Sequence, residues 1–229
     1  ESGSQAQVLF EYSQILKESN LWDKALVTHR QAIRLKPTLA NTDNFDSVSL
    51  LARGNLVQGW LAFEWRNTVG SLGPFTDKVW NGEDLSGKTI LVWGEQGIGD
   101  QIMFSTCLRD IIEQAGYVII GTDERLAPLF ERSFPKAAVQ GVARYTADGV
   151  TRVQDFEWLE GHPPVDFFVL QGSLARFFRP SIESFPSTSN RLFGDPQRLK
   201  YWGQKLTELG PGKKIGICWR SHLVERQSR

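Results

Sequence analysis

The sequence predicts an α/β protein, in which an α-helical segment precedes a domain built on a parallel sheet. Up to residue 66, apolar residues recur at spacings of three and four, the period of a helix with one buried face. From Lys88 onward, short β-rich runs alternate with helical patterns. Strands that alternate with helices pair in parallel. Residues 67–87, rich in Gly, Ser, Pro and Asp, predict a linker between the two parts.

The first helical pair is predicted between residues 5 and 37. One apolar stripe ends at Asn20, and a second runs from Trp22 to Leu35, where Pro37 stops it. Two helices of this length with a short turn between them form a helical hairpin. A looser pair of helices follows at Phe45–Arg53 and Leu56–Arg66.

Small residues in the second helix allow neighbouring helices to approach closely. Ala25, Ala32 and the closing Pro37 match the tetratricopeptide pattern, so residues 4–37 resemble one such repeat. This resemblance implies that the helical segment, residues 1–66, binds a protein partner or acceptor. Because one repeat cannot bury its own apolar face, we expect earlier repeats before Glu1. The first helix departs from the repeat at two positions, Leu9 and Ser13.

The elements of the second part follow from the same reasoning. Strands are predicted at Thr89–Trp93, Tyr117–Gly121, Ala138–Val142, Val165–Leu170 and Lys214–Trp219. Helices are predicted at Gln101–Ala115, Glu124–Phe134, Ser173–Phe178 and Pro196–Leu209. Residues 144–164 are too polar and irregular to assign. We expect a Rossmann-like domain over residues 88–212.

A glycine-rich turn, Gly94–Asp100, connects the first predicted strand to the first predicted helix of this domain. In open α/β sheets, ligands bind outside the carboxyl ends of the strands, where this turn lies. Glycines permit positive φ and allow a ligand to approach the backbone. The glycine spacing matches neither the phosphate-binding loop nor the dinucleotide fingerprint. The alternative is a tight turn in which Asp100 is only the N-cap of the helix.

Seven short motifs occur in this order along the chain: Gly59-Trp60, Glu64-Trp65-Arg66, Trp80-Asn81-Gly82-Glu83, Leu85-Ser86-Gly87-Lys88, Glu95-Gln96-Gly97-Ile98-Gly99-Asp100, Gly172-Ser173-Leu174 and Gly216-Ile217-Cys218-Trp219-Arg220-Ser221. Together they resemble bacterial tetratricopeptide-repeat proteins with a heptosyltransferase-like region. The resemblance implies a two-domain GT-B fold, with residues 88–212 as its N-terminal domain. Residues 213–229 then begin a truncated C-terminal domain, which in this fold holds most of the nucleotide-sugar donor.

The same resemblance implies roles for individual residues of the turn. Heptosyltransferases have a proposed catalytic base at the position of Asp100, and Gly97 and Gly99 leave room for substrate beside it. Thr106 stands where their helix usually has a proline, which leaves the fold intact and the acceptor open. The donor is a substrate, so neither a bound cofactor nor a metal ion is expected.

Four further residues are candidates for substrate binding. Glu95 and Gln96 either hydrogen-bond an acceptor or only brace the turn. Arg220 and Ser221 follow the last predicted strand and would face the same cleft. There Arg220 either neutralises phosphate charge or is a solvated surface side chain. Three aromatics at helical spacing are expected to pack in the core rather than to bind sugar: Trp60, Phe63 and Trp65.

Composition excludes several classes of function. Lys and Arg number 26 and equal Asp and Glu, so no bulk positive field is available for nucleic acid. No apolar run approaches the roughly 20 residues of a membrane-spanning helix. The polar start resembles no signal peptide, and Cys107 and Cys218 lie in apolar stretches as expected of buried thiols, so we expect a cytoplasmic protein. The three histidines have no metal-ligand spacing.

The leading hypothesis is therefore an inverting glycosyltransferase that uses a nucleotide sugar and recruits a protein or glycan acceptor through its repeats. Both ends of the chain look cut, so we expect a fragment that lacks most of the donor-binding domain. The first alternative is a non-catalytic tetratricopeptide interaction module with a degenerate nucleotide-binding domain. The second is a regulatory domain that binds a nucleotide or phosphate.

Overall fold

The computed structural model describes residues 2–36, 45–64, 66, 73–95, 97–142, 144–147, 150–153, 156–186 and 192–217. The chain forms two compact units, Glu1–Phe193 and Gly194–Arg229, and the first contains both the helical segment and the sheet. The α/β class predicted from the sequence is confirmed. In the described residues, no helix has the length and apolar character needed to cross a membrane.

The described part of the helical segment forms four helices: α1 (Ser2–Glu18), α2 (Trp22–Leu35), α3 (Phe45–Ala52) and α4 (Leu56–Phe63). Residues 8–35 are all described and contain no strand, as predicted. Ala6, Ala25 and Ala32 are fully buried, in small apolar clusters that join α1 to α2. The alanines that the sequence singles out in the second helix therefore lie where the two helices pack together.

Four strands form one parallel sheet in the order β3-β2-β1-β6: β1 (Thr89–Trp93), β2 (Tyr117–Asp123), β3 (Ala138–Val142) and β6 (Phe167–Leu170). β4 (Arg144–Ala147) and β5 (Val150–Val153) form a separate antiparallel pair. The crossover helices are α5 (Ile98–Phe104) and α6 (Leu108–Gln114) between β1 and β2, and α7 (Ala127–Ser133) between β2 and β3. α8 (Leu174–Phe178) follows β6. This arrangement is consistent with a Rossmann-like domain.

The two faces of the sheet are covered differently. Ile90 and Val92 of β1 pack in one cluster with the helices, around Phe130 of α7. Leu91 and Trp93 belong to a second cluster, whose covering residues come from loops and from two 3-10 helices, Gly73–Phe75 and Glu157–Gly161. They are Phe75, Phe156, Trp158, Leu159 and Val165. Aromatic side chains therefore cover the second face in place of a crossover helix, and they come largely from the stretch that the sequence left unassigned.

Part of the predicted linker, residues 67–87, packs against the sheet. Phe75, Trp80 and Leu85 are buried. Residues 78–80 also pair with the free edge of β6: Trp80 N–H donates to Phe168 O at 2.8 Å, and Phe168 N–H donates to Lys78 O at 2.7 Å. The described residues from 73 onward therefore complete the sheet domain and protect its edge strand.

Two predicted elements differ from the structure in more than their bounds. The predicted strand Lys214–Trp219 is wrong over its described residues: 213–217 form no strand, and Ile215 and Ile217 are 84% and 76% exposed. Apolar character alone predicted it, but a strand needs a partner to pair with. The predicted helix Gln101–Ala115 is interrupted by a 3-10 turn at Ser105–Cys107. Within the second unit, α9 (Pro196–Glu208) begins as predicted, capped by Asp195, whose carboxylate accepts the Arg198 N–H at 2.9 Å.

Cys107, the last residue of the 3-10 turn between α5 and α6, is fully buried, as predicted, and burial raises the pKa of its thiol to about 11. Since the thiolate is the reactive form, alkylation of Cys107 at pH 8 is expected to be about 100-fold slower than that of a free thiol. Peptide mass spectrometry after iodoacetamide treatment measures Cys107 separately from Cys218. Denaturation in urea should restore the reaction, and rapid alkylation of the native chain would contradict the burial of this thiol.

Candidate functional site

Three chain segments meet at the carboxyl ends of β1, β2 and β6. They are the glycine-rich turn after β1, the end of β2 at Thr122 and Asp123, and the 3-10 turn Gln171–Ser173 after β6. Gln101 of α5 connects the three. Its side chain contacts the end of β2, and its carbonyl oxygen accepts a hydrogen bond from Gln171 Nε2 at 2.9 Å. The turn therefore lies at the sheet edge where the sequence places it.

Gln101 is almost fully buried and holds the turn against the sheet. Its Oε1 accepts hydrogen bonds from the Thr122 hydroxyl at 2.7 Å and the Asp123 N–H at 3.1 Å. Gly94 lies so close that a Cβ there would be 2.6 Å from Gln101 Oε1 and 2.9 Å from Gly121 O. Only glycine fits at this position without displacing the backbone.

Sequence reasoning missed Gln101, although a signal was present. Gln101 shares one helical stripe with Phe104, Leu108 and Ile111, all of which are buried. A polar side chain on such a stripe must find hydrogen-bond partners inside the protein. The sequence could therefore have predicted a buried polar contact for Gln101, although not the residues that provide it.

Of the two roles that the sequence suggests for the glycines of the turn, positive φ and close approach of a ligand, the structure contradicts the first. None of Gly94, Gly97 and Gly99 has a positive φ. Gly94 is needed for the close approach to Gln101, whereas a Cβ on Gly99 would have no atom within 4 Å. Gly97 and Gly99 are both exposed. The turn is therefore open on its outer side, where a ligand has access to the backbone.

Asp100 is the third residue of α5 and is partly exposed. Its Oδ2 accepts a hydrogen bond from the Gly97 N–H at 3.0 Å. Among the described residues, none hydrogen-bonds its Oδ1. The alternative in which Asp100 is itself the N-cap is wrong, because extended Gly97 occupies that position and Asp100 closes the turn from within the helix. One carboxylate oxygen thus stabilises the turn, while the other is left for solvent or substrate.

The sequence left two roles open for Glu95, binding of an acceptor and bracing of the turn. In the structure, its carboxylate is hydrogen-bonded by other residues of the protein. Arg66 Nε donates to both oxygens of Glu95 at 2.9 Å, and Arg66 Nη2 lies 2.8 Å from Oε1. The Gly172 N–H also donates to Oε1 at 3.2 Å. The side chains of Arg66 and Glu95 are only 6% and 10% exposed. This geometry is that of a brace.

The same arginine reaches further partners. Arg66 Nη2 donates to Ser173 Oγ at 2.8 Å, Nη1 donates to Glu64 Oε1 at 3.0 Å, and the guanidinium lies 4.2 Å above the Phe63 ring. Ser173 Oγ in turn donates to Glu64 Oε2 at 3.0 Å. Three motifs that are far apart in sequence therefore converge on one cluster, a convergence that sequence reasoning did not predict. We call Arg66, Glu95, Glu64 and Ser173 the arginine cluster.

The structure describes only some of the other residues that the sequence analysis singled out. Trp60 and Phe63 pack in the core against Phe104, with ring centroids at 6.1 and 5.8 Å, as expected. The remaining ones lie outside the described residues: Trp65, Gln96, Cys218, Arg220, Ser221 and His222. Among the His, Cys, Asp and Glu side chains that the structure describes, no group of three is placed to hold a metal ion.

Comparison with known proteins gives one informative similarity. The chain is 36% identical over 180 residues to protein FlbA of Caulobacter vibrioides, an alignment that covers 75% of this chain and 30% of FlbA. The chain thus spans about 30% of the length of the curated relative that it matches. No family model matches the chain. No solved structure matches it either.

Proposed function

We propose that the chain is the acceptor-side part of an inverting GT-B glycosyltransferase that uses a nucleotide-sugar donor. The observation that carries the proposal is the placement of Asp100, whose second carboxylate oxygen has no partner among the described residues and which lies in an open turn at the carboxyl edge of a parallel sheet. Motif resemblance to tetratricopeptide proteins with a heptosyltransferase-like region supports it. A cytoplasmic location is part of the proposal and fits the free, buried Cys107.

The proposed reaction has one proton transfer and one exchange of bonds. An acceptor hydroxyl attacks the anomeric carbon of the donor, and the bond from that carbon to the nucleotide diphosphate breaks. Asp100 accepts the hydroxyl proton as the new glycosidic bond forms. The leaving diphosphate is stabilised by Arg220 and Ser221 together with the C-terminal donor-binding domain of the fold. Inversion follows from attack opposite the leaving group.

The helical segment recruits the acceptor in this proposal. α1 exposes Val8, Tyr12 and Ile15, which are 65%, 52% and 58% accessible and follow one another at helical spacing. An apolar stripe of this kind on a helix suits a protein partner. The acceptor is therefore a protein bound by the helices, or a glycan carried by such a protein.

Paired assays on the 229-residue chain and on a longer protein with a complete donor-binding domain test this proposal. We expect no sugar transfer, and no calorimetric binding of donor, with the chain alone, because in a GT-B enzyme the C-terminal domain holds most of the donor and so sets its anomeric carbon at the roughly 3–3.5 Å needed for attack. The longer protein is expected to transfer sugar from one member of a nucleotide-sugar panel. Turnover by residues 1–229 alone, lost on Asp100→Ala, would refute the two-domain arrangement.

A second candidate function is a protein-interaction module without catalysis. The exposed stripe on α1 favours it, since that stripe needs no active site to be useful. The same assays discriminate between the two, because an interaction module transfers no sugar in any length of protein. Pull-down of a partner that depends on Val8 and Tyr12, in a protein that transfers no sugar, would favour this candidate.

A further inference from the structure

The arginine cluster joins the end of the helical segment to the glycine-rich turn. Arg66 follows α4 by three residues, and Glu95 is the second residue of the turn that carries Asp100. All three guanidinium nitrogens of Arg66 donate hydrogen bonds, and their acceptors are Glu95, Glu64, Ser173 and the Phe63 carbonyl. The helical segment is thus attached to the turn through hydrogen bonds made by a single side chain.

The packing around this ion pair leaves it little freedom to rearrange. A Cβ on Gly172 would lie 2.7 Å from Glu95 Oε1 and 3.0 Å from Arg66 Nη2. Arg66 is 5% exposed as a whole residue. A buried carboxylate that loses its partner is left as an uncompensated charge, which favours its movement toward solvent. Such a movement displaces Glu95, which lies directly before Gln96, Gly97 and the first turn of α5.

We propose that Arg66 is a positioning residue, which fixes the glycine-rich turn and couples its order to the last turn of the helical segment. Arg66 donates to the Glu95 carboxylate, which precedes Asp100 by five residues, and it acts on the turn through that carboxylate. The helical segment is then more than a recruitment module, because the geometry of the proposed base depends on it. The catalytic part of this inference rests on the proposed function, whereas the coupling itself does not.

Amide hydrogen exchange in the 229-residue chain tests the coupling without any activity. In Arg66→Gln, exchange of the Gly172 amide and of amides 94–101 is expected to be at least about tenfold faster, because one partner of a buried ion pair is missing. Arg179→Gln is the matched control. Arg179 is equally buried and paired with Asp110 at 2.7 Å, but its partners are Thr106 and Phe178 rather than the turn. This control is expected to leave amides 94–101 unchanged relative to the rest of the sheet.

Two further variants keep the test decisive if Arg66→Gln fails to fold. Glu95→Gln preserves shape and an acceptor for the Gly172 N–H, and it is expected to raise exchange in the same amides. Arg66→Lys preserves the charge but not the bidentate contact with Glu95. It is therefore expected to keep part of the protection against exchange that Arg66→Gln loses. Unchanged exchange at 94–101 in both Arg66→Gln and Glu95→Gln, or an equal rise throughout the chain, would overturn the coupling.

Turnover of a longer protein then separates positioning from mere stability. A positioning role predicts that Arg66→Lys lowers kcat by about tenfold or more with little change in KM, at a temperature where the variant is fully folded. An unchanged kcat would confine Arg66 to structure and remove the positioning role. Absence of turnover in the wild type would remove the proposed function instead, while the exchange result would still decide the coupling.

Discussion

Replacing Asp100 by asparagine is expected to lower the rate of sugar transfer by about 10²- to 10⁴-fold, the usual contribution of a positioned general base. Asparagine retains an oxygen that can accept the Gly97 N–H, so the turn and α5 should remain folded. It cannot take a proton from the acceptor hydroxyl. The measurement is kcat of a longer protein with its donor-binding domain, beside a circular dichroism spectrum that is unchanged.

Glu124→Gln is the matched control for Asp100→Asn. Glu124 is exposed and directly follows β2. The substitution therefore removes one carboxylate from the same edge of the sheet and leaves the sequence of the glycine-rich turn unchanged. We expect this variant to keep its rate within about twofold of the wild type, as surface substitutions usually do. Full activity of Asp100→Asn would leave Asp100 only its hydrogen bond to Gly97 and would require another base. Equal losses in both variants would point to a general effect of charge at this edge.

Most of the helices and strands around the site were predictable, because each of them follows a local pattern in the sequence. The strands Thr89–Trp93 and Ala138–Val142 have the predicted bounds, and α9 differs from its prediction by one residue. The position of the glycine-rich turn followed as well, since a turn between a parallel strand and its crossover helix must lie at the carboxyl edge. The place of Asp100 in the fold could therefore be predicted before any coordinates.

Contacts between distant segments were not predictable. Arg66 and Glu95 are 29 positions apart, and Ser173 is 107 positions from Arg66. No periodicity relates such residues, and a charged side chain after a helix is usually exposed. The motifs that contain them were recognised one by one as a resemblance, which carries no information on which motifs touch.

The sequence did not predict the aromatic side chains that cover the second face of the sheet, for a related reason. Trp158 and Leu159 lie in a short 3-10 helix that Phe156 precedes, and this stretch has neither the period of an α-helix nor that of a strand. The strand wrongly predicted at Lys214–Trp219 is the opposite case, in which the local pattern favours a strand. No neighbouring strand pairs with its described residues. Pairing decides whether an extended run becomes a strand.

Trp60→Ala is expected to destabilise the first unit by about 3 kcal/mol, toward the lower end for loss of a large aromatic side chain from a packed site. The Trp60 ring packs against Phe63 and Phe104, and its Nε1 donates to the Arg179 carbonyl at 2.8 Å. Truncation removes these contacts and leaves that carbonyl without this donor. Leu61→Ala on the same helix is the control, with an expected loss below about 1 kcal/mol, because Leu61 is 43% exposed.

Urea unfolding measures both variants and also tests how the helices are joined to the sheet. Trp60 belongs to α4, whereas Phe104 and Arg179 belong to the sheet domain, so this side chain crosses between the two parts of the first unit. If they unfold together, Trp60→Ala shifts one cooperative transition, seen alike by helix circular dichroism and by exchange of the β1 and β2 amides. Separate transitions, with the sheet amides unaffected by Trp60→Ala, would mean that the helical segment is an independent module. In that case the contacts made by Trp60 and Arg66 would not transmit order to the turn that carries Asp100.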